Sequence, residues 1–321
     1  MPLKRIGVMT TGGDAPGMNA AIRAVVRFAI YNKLEVMGVI RGWWGLINEE
    51  LKLLDHRSVS GIINAGGTVL KTGRCPQFAT KEGQDRAFNT IKKNAIDGLI
   101  VIGGNGSFTA AHIFGNKYNV PCIGIPASID NDVNGIDMTI GWDTAINTAL
   151  AAIDNIRDTA TSMERVFVVE VMGRDSGSIA LSVALAGGCE DVIIPERKLD
   201  LEAICNDIVQ GNMKGKISWI IVVAEGAGSA ADIAKKITEM TSLETRTVVL
   251  GHIQRGGRPT AISRDLALRL GQEAVNRLIN GEKDKAVGFC CGKVTAVDFA
   301  TAIQKKEIKF EEWCHLIKVL S

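Results

Sequence analysis

Short apolar runs alternate with longer amphipathic stretches along most of the chain, and glycines cluster at the joints between them. Short runs flanked by turn residues read as buried strands, and stretches with helical spacing as the helices that cover them. The pattern predicts strands over 6–10, 34–40, 98–102, 121–125, 165–171, 191–194, 218–223 and 247–250. It predicts helices over 20–31, 144–159, 179–186 and 262–278. Strand and helix in alternation imply an α/β fold with mainly parallel sheets covered on both faces. Strand-to-glycine joints recur at Ile102-Gly103-Gly104 and Val171-Met172-Gly173, as any doubly wound sheet would produce.

Length adds the expectation of two lobes, since 321 residues exceed the usual reach of a single core. The formal net charge of +2 gives no general attraction to nucleic acid or to an anionic membrane, so any anion site is built locally. No apolar run approaches the roughly 20 residues that span a bilayer, and Lys4-Arg5 leads straight into a strand rather than a signal peptide. The expectation is a cytoplasmic protein with no nucleic-acid or membrane partner. The 7 cysteines are scattered without a CxxC pair and read mostly as buried thiols. His56, His112 and His315 show no metal-ligand spacing.

Two predicted strand ends carry the chemistry. The run ending at Ile102 opens into Gly103-Gly104-Asn105-Gly106-Ser107, and the run ending at Ile125 into Pro126-Ala127-Ser128-Ile129-Asp130-Asn131-Asp132. Open α/β sheets bind ligands at such carboxyl ends. The glycine-rich end suits phosphate; in extended chain Asp130 and Asp132 would share a face, one as a base and one beside Mg²⁺. The alternative is a loop that caps a helix and solvates itself. Thr10 to Asn19 is a third such joint, either a phosphate cradle or a plain tight turn, and is neither a P-loop nor GxGxxG. Arg174 and Arg255 follow apolar strands, whereas Arg165 and Arg246 lie at strand starts, at the other end of their own sheet. Guanidinium forks suit phosphate, and solvated surface charge is the alternative for each. One lobe does not easily gather all four, which suggests that a neighbouring subunit supplies some. Trp43-Trp44 reads as packing or as a flank for a nucleotide base.

The segments TGGDAPGMNAAIR, GGT with TGRCP, GGNGS, SIDND, IRDTA, VEVMGR, AEG, ETR and GHIQRGG occur in this order from about Lys4 to the C-terminus. In this the chain resembles the bacterial ATP-dependent 6-phosphofructokinases. The resemblance implies two Rossmann-like lobes with the active site in the cleft between them, usually in a homotetramer. The larger, nucleotide-binding lobe is expected over 1–139 plus 253–304 and the smaller, sugar-phosphate-binding lobe over 140–252 plus 305–321. It implies phosphoryl transfer from ATP, with Mg²⁺ as cofactor, to the 1-hydroxyl of fructose 6-phosphate. Asp130 then matches the general base, Ser128 a hydroxyl near the γ-phosphate where relatives usually have Thr, and Arg174 a cation bridging to the transferred group. Gly13, Arg74, Cys75, Gly104, Asn105, Gly106 and Ser107 match the ATP/ADP contacts, and Asn105 and Asp132 the metal site. Met172, Gly173 and Glu225 match sugar contacts, with Asp132 beside them; Arg165 and Arg246 from the adjacent subunit, with His252 and Arg255, match ligands of the 6-phosphate.

A nucleotide or phosphoenolpyruvate effector site is implied as well, at Arg23, Arg27, Arg157, Glu190, Lys214 and Lys216, with Glu190 assisting through a metal. His56 stands there for a frequent Arg, and a histidine titrates near neutrality, so a weakened or pH-sensitive effector response is expected. Gly106 and Ala127 occupy positions where pyrophosphate-dependent relatives carry Asp and Lys, which favours ATP. Asn105 departs from the family's Mg-site Asp and lacks the charge a hard cation prefers. Ala127 for Gly adds a methyl beside the base, and Trp43 replaces a usual Tyr. Three readings follow: an active ATP-dependent enzyme, a weakly active or non-catalytic paralogue serving as a regulatory partner, or a kinase of shifted donor or acceptor.

Overall fold

A computed structural model describes residues 3–321. Along the chain run β1 (Arg5–Thr10), α1 (Met18–Tyr31), β2 (Glu35–Val39), α2 (Trp43–Ile47), β3 (Leu51–Leu54), α3 (Lys81–Lys93), β4 (Gly98–Gly103), α4 (Asn105–Tyr118), β5 (Cys122–Ser128) and β6 (Ile140–Gly141). Next come α5 (Trp142–Met163), β7 (Val166–Val171), α6 (Ser178–Ala186), β8 (Asp191–Ile193), α7 (Leu201–Met213), β9 (Trp219–Ala224), α8 (Ala230–Thr241) and β10 (Thr245–Val249). The chain ends in α9 (Ala261–Ile279), β11 (Lys285–Cys290), β12 (Lys293–Asp298), α10 (Phe299–Ala302) and α11 (Phe310–Leu320).

The chain divides into two compact units: residues up to Thr144 with Arg255–Lys306, and Ala145–Gln254 with Glu307–Ser321. In the first, the sheet order is β12-β11-β5-β4-β1-β2-β3, with β6 beside β5. Its interior pairs are parallel, while β3 and β12 close the edges antiparallel. Every residue of β4 is buried, with Leu99, Ile100, Val101 and Ile102 wholly inside. Such a strand is stable only with helices on both faces. On one face α1 turns in Ala21, Ile22, Val25 and Val26 and packs closely on α9, where a Cβ at Gly271 would stand 2.5 Å from that of Ala24.

Strand order fixes where a ligand can enter. From β1 the chain passes to β2 on one side and later returns to β4 on the other. The carboxyl ends of β1 and β4 therefore flank a topological switch point, the usual crevice of an open α/β sheet.

The second unit has the wholly parallel sheet β10-β7-β9-β8. β9 is buried throughout and packs with Val168, Ile204, Ile208, Ile233 and Ile237. β10 is an exposed edge strand on which Val249 is 61% accessible. The α/β class and the predicted strands and long helices appear as expected. The antiparallel edges β3 and β12, and β11 with its turn, were not predicted. Among the described residues no helix is long and apolar enough to cross a membrane.

Candidate active site

Three loops meet at the switch point of the first unit. The first follows β1, where Gly12 and Gly17 take left-handed φ values of 87° and 111°. Such values favour glycine. Gly12 N–H donates to Gly73 O at 3.4 Å, and Thr72 Oγ1 donates to Gly12 O at 2.9 Å. Thr10 Oγ1 donates to Lys71 O at 2.8 Å. The TGRCP segment is thereby tied to this loop, with Arg74 exposed and Cys75 half-buried.

The second loop opens α4. A Cβ at Gly103 would stand 2.6 Å from Thr11 O, so only glycine lets the two loops touch. The Ser107 hydroxyl is buried and donates to Thr11 O at 3.0 Å, which commits it to holding the loops together. Gly104 caps α4 without a side chain, and Gly106 faces open space with no atom within 4 Å of a Cβ built there. Unpaired N–H groups and the helix dipole at this end suit a phosphate.

The third loop follows β5. A Cβ at Gly104 would lie 3.5 Å from that of Ser128, so β5 delivers this loop beside the α4 N-terminus. Here the structure corrects the expected geometry. The Ser128–Asp132 segment leaves the strand in a turn, and Asn131 is left-handed at φ 51°. The two-residue alternation of extended chain therefore does not apply to Asp130 and Asp132. Hydrogen bonds set their positions instead. Asp130 N–H donates to Ser128 Oγ at 3.3 Å, and Ser128 Oγ donates to Asp132 Oδ1 at 3.2 Å. Asn131 Nδ2 donates to Asp137 O at 3.0 Å, while Asn131 Oδ1 accepts from Thr139 N at 3.1 Å.

Asn105 joins the second loop to the third. Its Nδ2 donates to Asp132 Oδ2 and to Asp132 O, each at 2.9 Å. Its Oδ1 is buried without a hydrogen-bond partner. An orphaned carbonyl oxygen beside a carboxylate is a donor pair that fits a hard cation such as Mg²⁺.

Arg255 lies against the first loop: a Cβ at Gly13 would stand 2.4 Å from Arg255 Nη1, which donates to Asp14 O at 3.3 Å. Trp43 is buried and stacked on Phe78, with ring centroids 4.0 Å apart, and packs in the core.

In the second unit Met172, Gly173 and Arg174 follow β7, and Glu225 follows the adjacent β9. Glu225 N–H donates to Val171 O at 2.9 Å, and Gly226 N–H to Gly173 O at 3.1 Å. A Cβ at Gly226 would stand 1.7 Å from Arg174 O, so glycine lets these ends meet. Buried Gln254 fixes Met172 by accepting its N–H at 2.8 Å. Arg174, Glu225 and His252 are exposed. Arg165 and Arg246 stand at the other end of the same sheet, and Glu244 pairs with both, at 2.8 Å to Arg165 Nε. The six residues of β7 separate the two ends by about 20 Å.

The residues expected for an effector occur in both units. On α1, Arg23 and Arg27 are one turn apart; burial first, then the neighbouring Arg27 cation, lowers the Arg23 guanidinium from its ordinary value. Arg27 Nε is buried without a partner. His56 is exposed. In the second unit Glu190 is buried; its Oε2 accepts Ile220 N–H at 2.6 Å, and its Oε1 faces Lys216 Nζ at 3.2 Å and Arg157 Nη1 at 3.9 Å. The carboxylate is therefore met by protein groups. Lys214 follows α7 as its exposed C-cap residue.

A model of one known family, described as phosphofructokinase, matches residues 5–278. The chain belongs to the phosphofructokinase family. It is 50% identical over 319 residues to the ATP-dependent 6-phosphofructokinase of Bacillus pumilus, covering 99% of this chain and all of that protein. The ATP-dependent 6-phosphofructokinase of Thermotoga neapolitana is 49% identical over 318 residues, with 98% and 100% covered. Among solved structures, phosphofructokinase from Saccharomyces cerevisiae superposes with a TM-score of 0.89 at 33% identity over 94% of this chain. The chain spans 45% of that yeast chain's length.

Lys306 and Glu244 are site neighbours to which the resemblance assigned no role. Lys306 Nζ donates to Ile136 O at 2.7 Å, in the loop that carries Asp132. Burial lowers its ammonium from the ordinary value, against the opposing pull of Asp137 and Asp132. No motif marked it. Glu244 was legible as the acidic residue of the ETR segment, two residues before Arg246.

Proposed function

We propose that the chain is an ATP-dependent 6-phosphofructokinase, transferring the γ-phosphoryl group of ATP to the 1-hydroxyl of fructose 6-phosphate in glycolysis. The observation that carries this reading is the juxtaposition at the switch point of the first unit. Two glycine-built phosphate loops and the α4 N-terminus stand beside Asp130, Asp132 and an orphaned Asn105 oxygen. Near-half identity over the whole chain to proteins named for that activity supports it.

In this mechanism Gly13, Arg74, Cys75, Gly104 and Gly106 line the nucleotide phosphates, and Ser107 holds the two loops in register. Asp132 and Asn105 Oδ1 would hold Mg²⁺, which would supply positive charge to the transferring phosphates. Asp130 accepts the proton of the sugar hydroxyl, and Ser128 orients the loop through its bonds to Asp130 and Asp132. Arg174 stabilises charge on the transferred group. Met172, Gly173 and Glu225 bind the sugar, with His252 and Arg255 on its 6-phosphate.

Arg165 and Arg246 lie about 20 Å from the Met172 end of their sheet, too far to share one small sugar phosphate with it. They serve a second copy, in a homotetramer. Arg23, Arg27, Arg157, Lys214 and Lys216 provide the cations of a nucleotide or phosphoenolpyruvate effector site, with Glu190 as its acidic member. Arg27 Nε, buried and unpaired, supports an anion there.

A donor comparison tests the reading. Fructose 1,6-bisphosphate is expected from fructose 6-phosphate with Mg-ATP and not with pyrophosphate. Product with pyrophosphate alone, or no product with either donor, would overturn it.

A further inference from the structure

Most of the cysteines read as buried thiols, and Cys122, Cys189, Cys205 and Cys314 are buried. Burial pushes those thiols up, Cys189 to about 12. Cys290 and Cys291 are different. Cys290 ends β11, and Cys291 with Gly292 forms the two-residue turn into β12. Both turn residues are left-handed, φ 52° at Cys291 and 74° at Gly292. Hairpin turns of this kind favour Asn, Asp or Gly at the first position. A cysteine there is strained, and it is exposed, so packing does not explain it.

The turn brings the two sulfurs to 3.9 Å. A disulfide needs about 2.05 Å, and the difference leaves room for one bridging atom. Among the described residues no group of three or more His, Cys, Asp or Glu could hold a metal ion. The pair therefore suits a soft centre that needs only two thiolates and brings its own third substituent.

This turn is bonded to the loop of the proposed base. Cys291 N–H donates to Asp137 Oδ2 at 2.7 Å, and Asp137 N–H donates to Phe289 O at 2.8 Å. Asp137 O in turn accepts from Asn131 Nδ2, the residue between Asp130 and Asp132.

We propose that Cys290 and Cys291 form a two-thiol site for trivalent arsenicals, and that occupying it loosens the 131–139 loop. An arsenoxide, R–As=O, condenses with both thiols. Two As–S bonds form, the bonds to oxygen break, and the oxygen leaves as water with the two thiol protons. Arsenic stays trivalent, so no oxidant or reductant is consumed. Closing the ring across the turn pulls Cys291 N–H from Asp137.

The reduced full chain is treated with phenylarsine oxide, washed with excess monothiol, and read by intact mass. One adduct per chain is expected to survive the wash, to be released by a 1,2-dithiol, and to be lost in both Cys290→Ser and Cys291→Ser. Retention in either variant, or no retained adduct on the natural chain, overturns the site. In the adduct, amide exchange at Asp137 and Thr139 is expected to be about ten- to a hundredfold faster, as loss of a charge-assisted hydrogen bond gives. Unchanged exchange overturns the coupling. The loop's catalytic meaning rests on the proposed function, but neither readout uses turnover, so the two can fail separately.

Discussion

Asn105→Asp is the substitution that most directly probes the metal end of the site. In the natural chain the amide holds the loop by donating to two oxygens of Asp132, each at 2.9 Å. A carboxylate at 105 has no proton to donate, and it would set a second negative oxygen against the Asp132 carboxylate. Two hydrogen bonds to a charged or backbone acceptor are lost, at about 1–2 kcal/mol each. Repulsion adds to this: unit charges about 4 Å apart interact by about 4 kcal/mol at an effective dielectric of 20, and relaxation of the half-buried loop relieves part of it. A net loss of about 3 kcal/mol would lower the melting temperature of a unit of about 200 residues by about 6–12 °C. Mg²⁺ between the two carboxylates would reverse the sign and restore the loss. The assay is thermal unfolding with EDTA and with millimolar Mg²⁺, for the natural chain and the variant. The expected result is a variant less stable in EDTA and substantially rescued by Mg²⁺, with a smaller Mg²⁺ stabilisation of the natural chain, which offers the cation one carboxylate fewer. A variant equally stable in both media would refute the placement of a metal beside Asp132.

Other consequences can be checked separately. Lys306→Met removes the ammonium that fixes Ile136 O. It should cost about 1–2 kcal/mol in urea unfolding and lower kcat about tenfold, because the loop shift misplaces Asp130. Gly106→Asp finds open space in the fold, so its melting temperature should hold while kcat/KM for ATP falls about a hundredfold through charge against phosphate. For Glu282, burial raises the carboxyl, but Arg277 and Lys285 pull it down and leave it below its ordinary value. A depressed folded value means that this contribution is full above about pH 4.5 and is lost as pH falls through the lower folded value. Arg277→Met should therefore cost about 1 kcal/mol at pH 7 and much less at pH 3, measured by urea unfolding.

The interior of the fold was legible because its strands obey simple rules. β4 is a continuous apolar run bounded by glycine, and nothing but burial on both faces accommodates such a run. The opposite-end placement of Arg165 and Arg246 also followed from strand direction alone. The antiparallel edges were harder to read. Turn chemistry that would announce the β11–β12 hairpin is absent, since Cys291 stands where Asn or Asp usually signals it. The residues of β12 are only half-buried, so no alternation marks the strand.

At the site, sequence order located Asp130 and Asp132 but gave the wrong backbone for them. Left-handed Asn131 breaks the period on which the shared-face argument depended. The chemistry of Asn105 was visible only as a missing charge. Its structural role, donating both amide protons to Asp132 while leaving a buried oxygen unpaired, comes from a contact 27 residues away. Lys306 reaches the same loop from 170 residues away and carries no motif.

The most direct test of the proposed reaction compares the natural chain with Asp130→Ser in fructose 1,6-bisphosphate formation from fructose 6-phosphate and Mg-ATP. Serine is small and keeps a polar group in the turn, so folding should be preserved and can be checked by the melting curve. The account predicts robust natural turnover and a fall in kcat of about 10²–10⁴-fold in the variant, the range of a lost general base. A folded variant that keeps full turnover would contradict the assignment of Asp130.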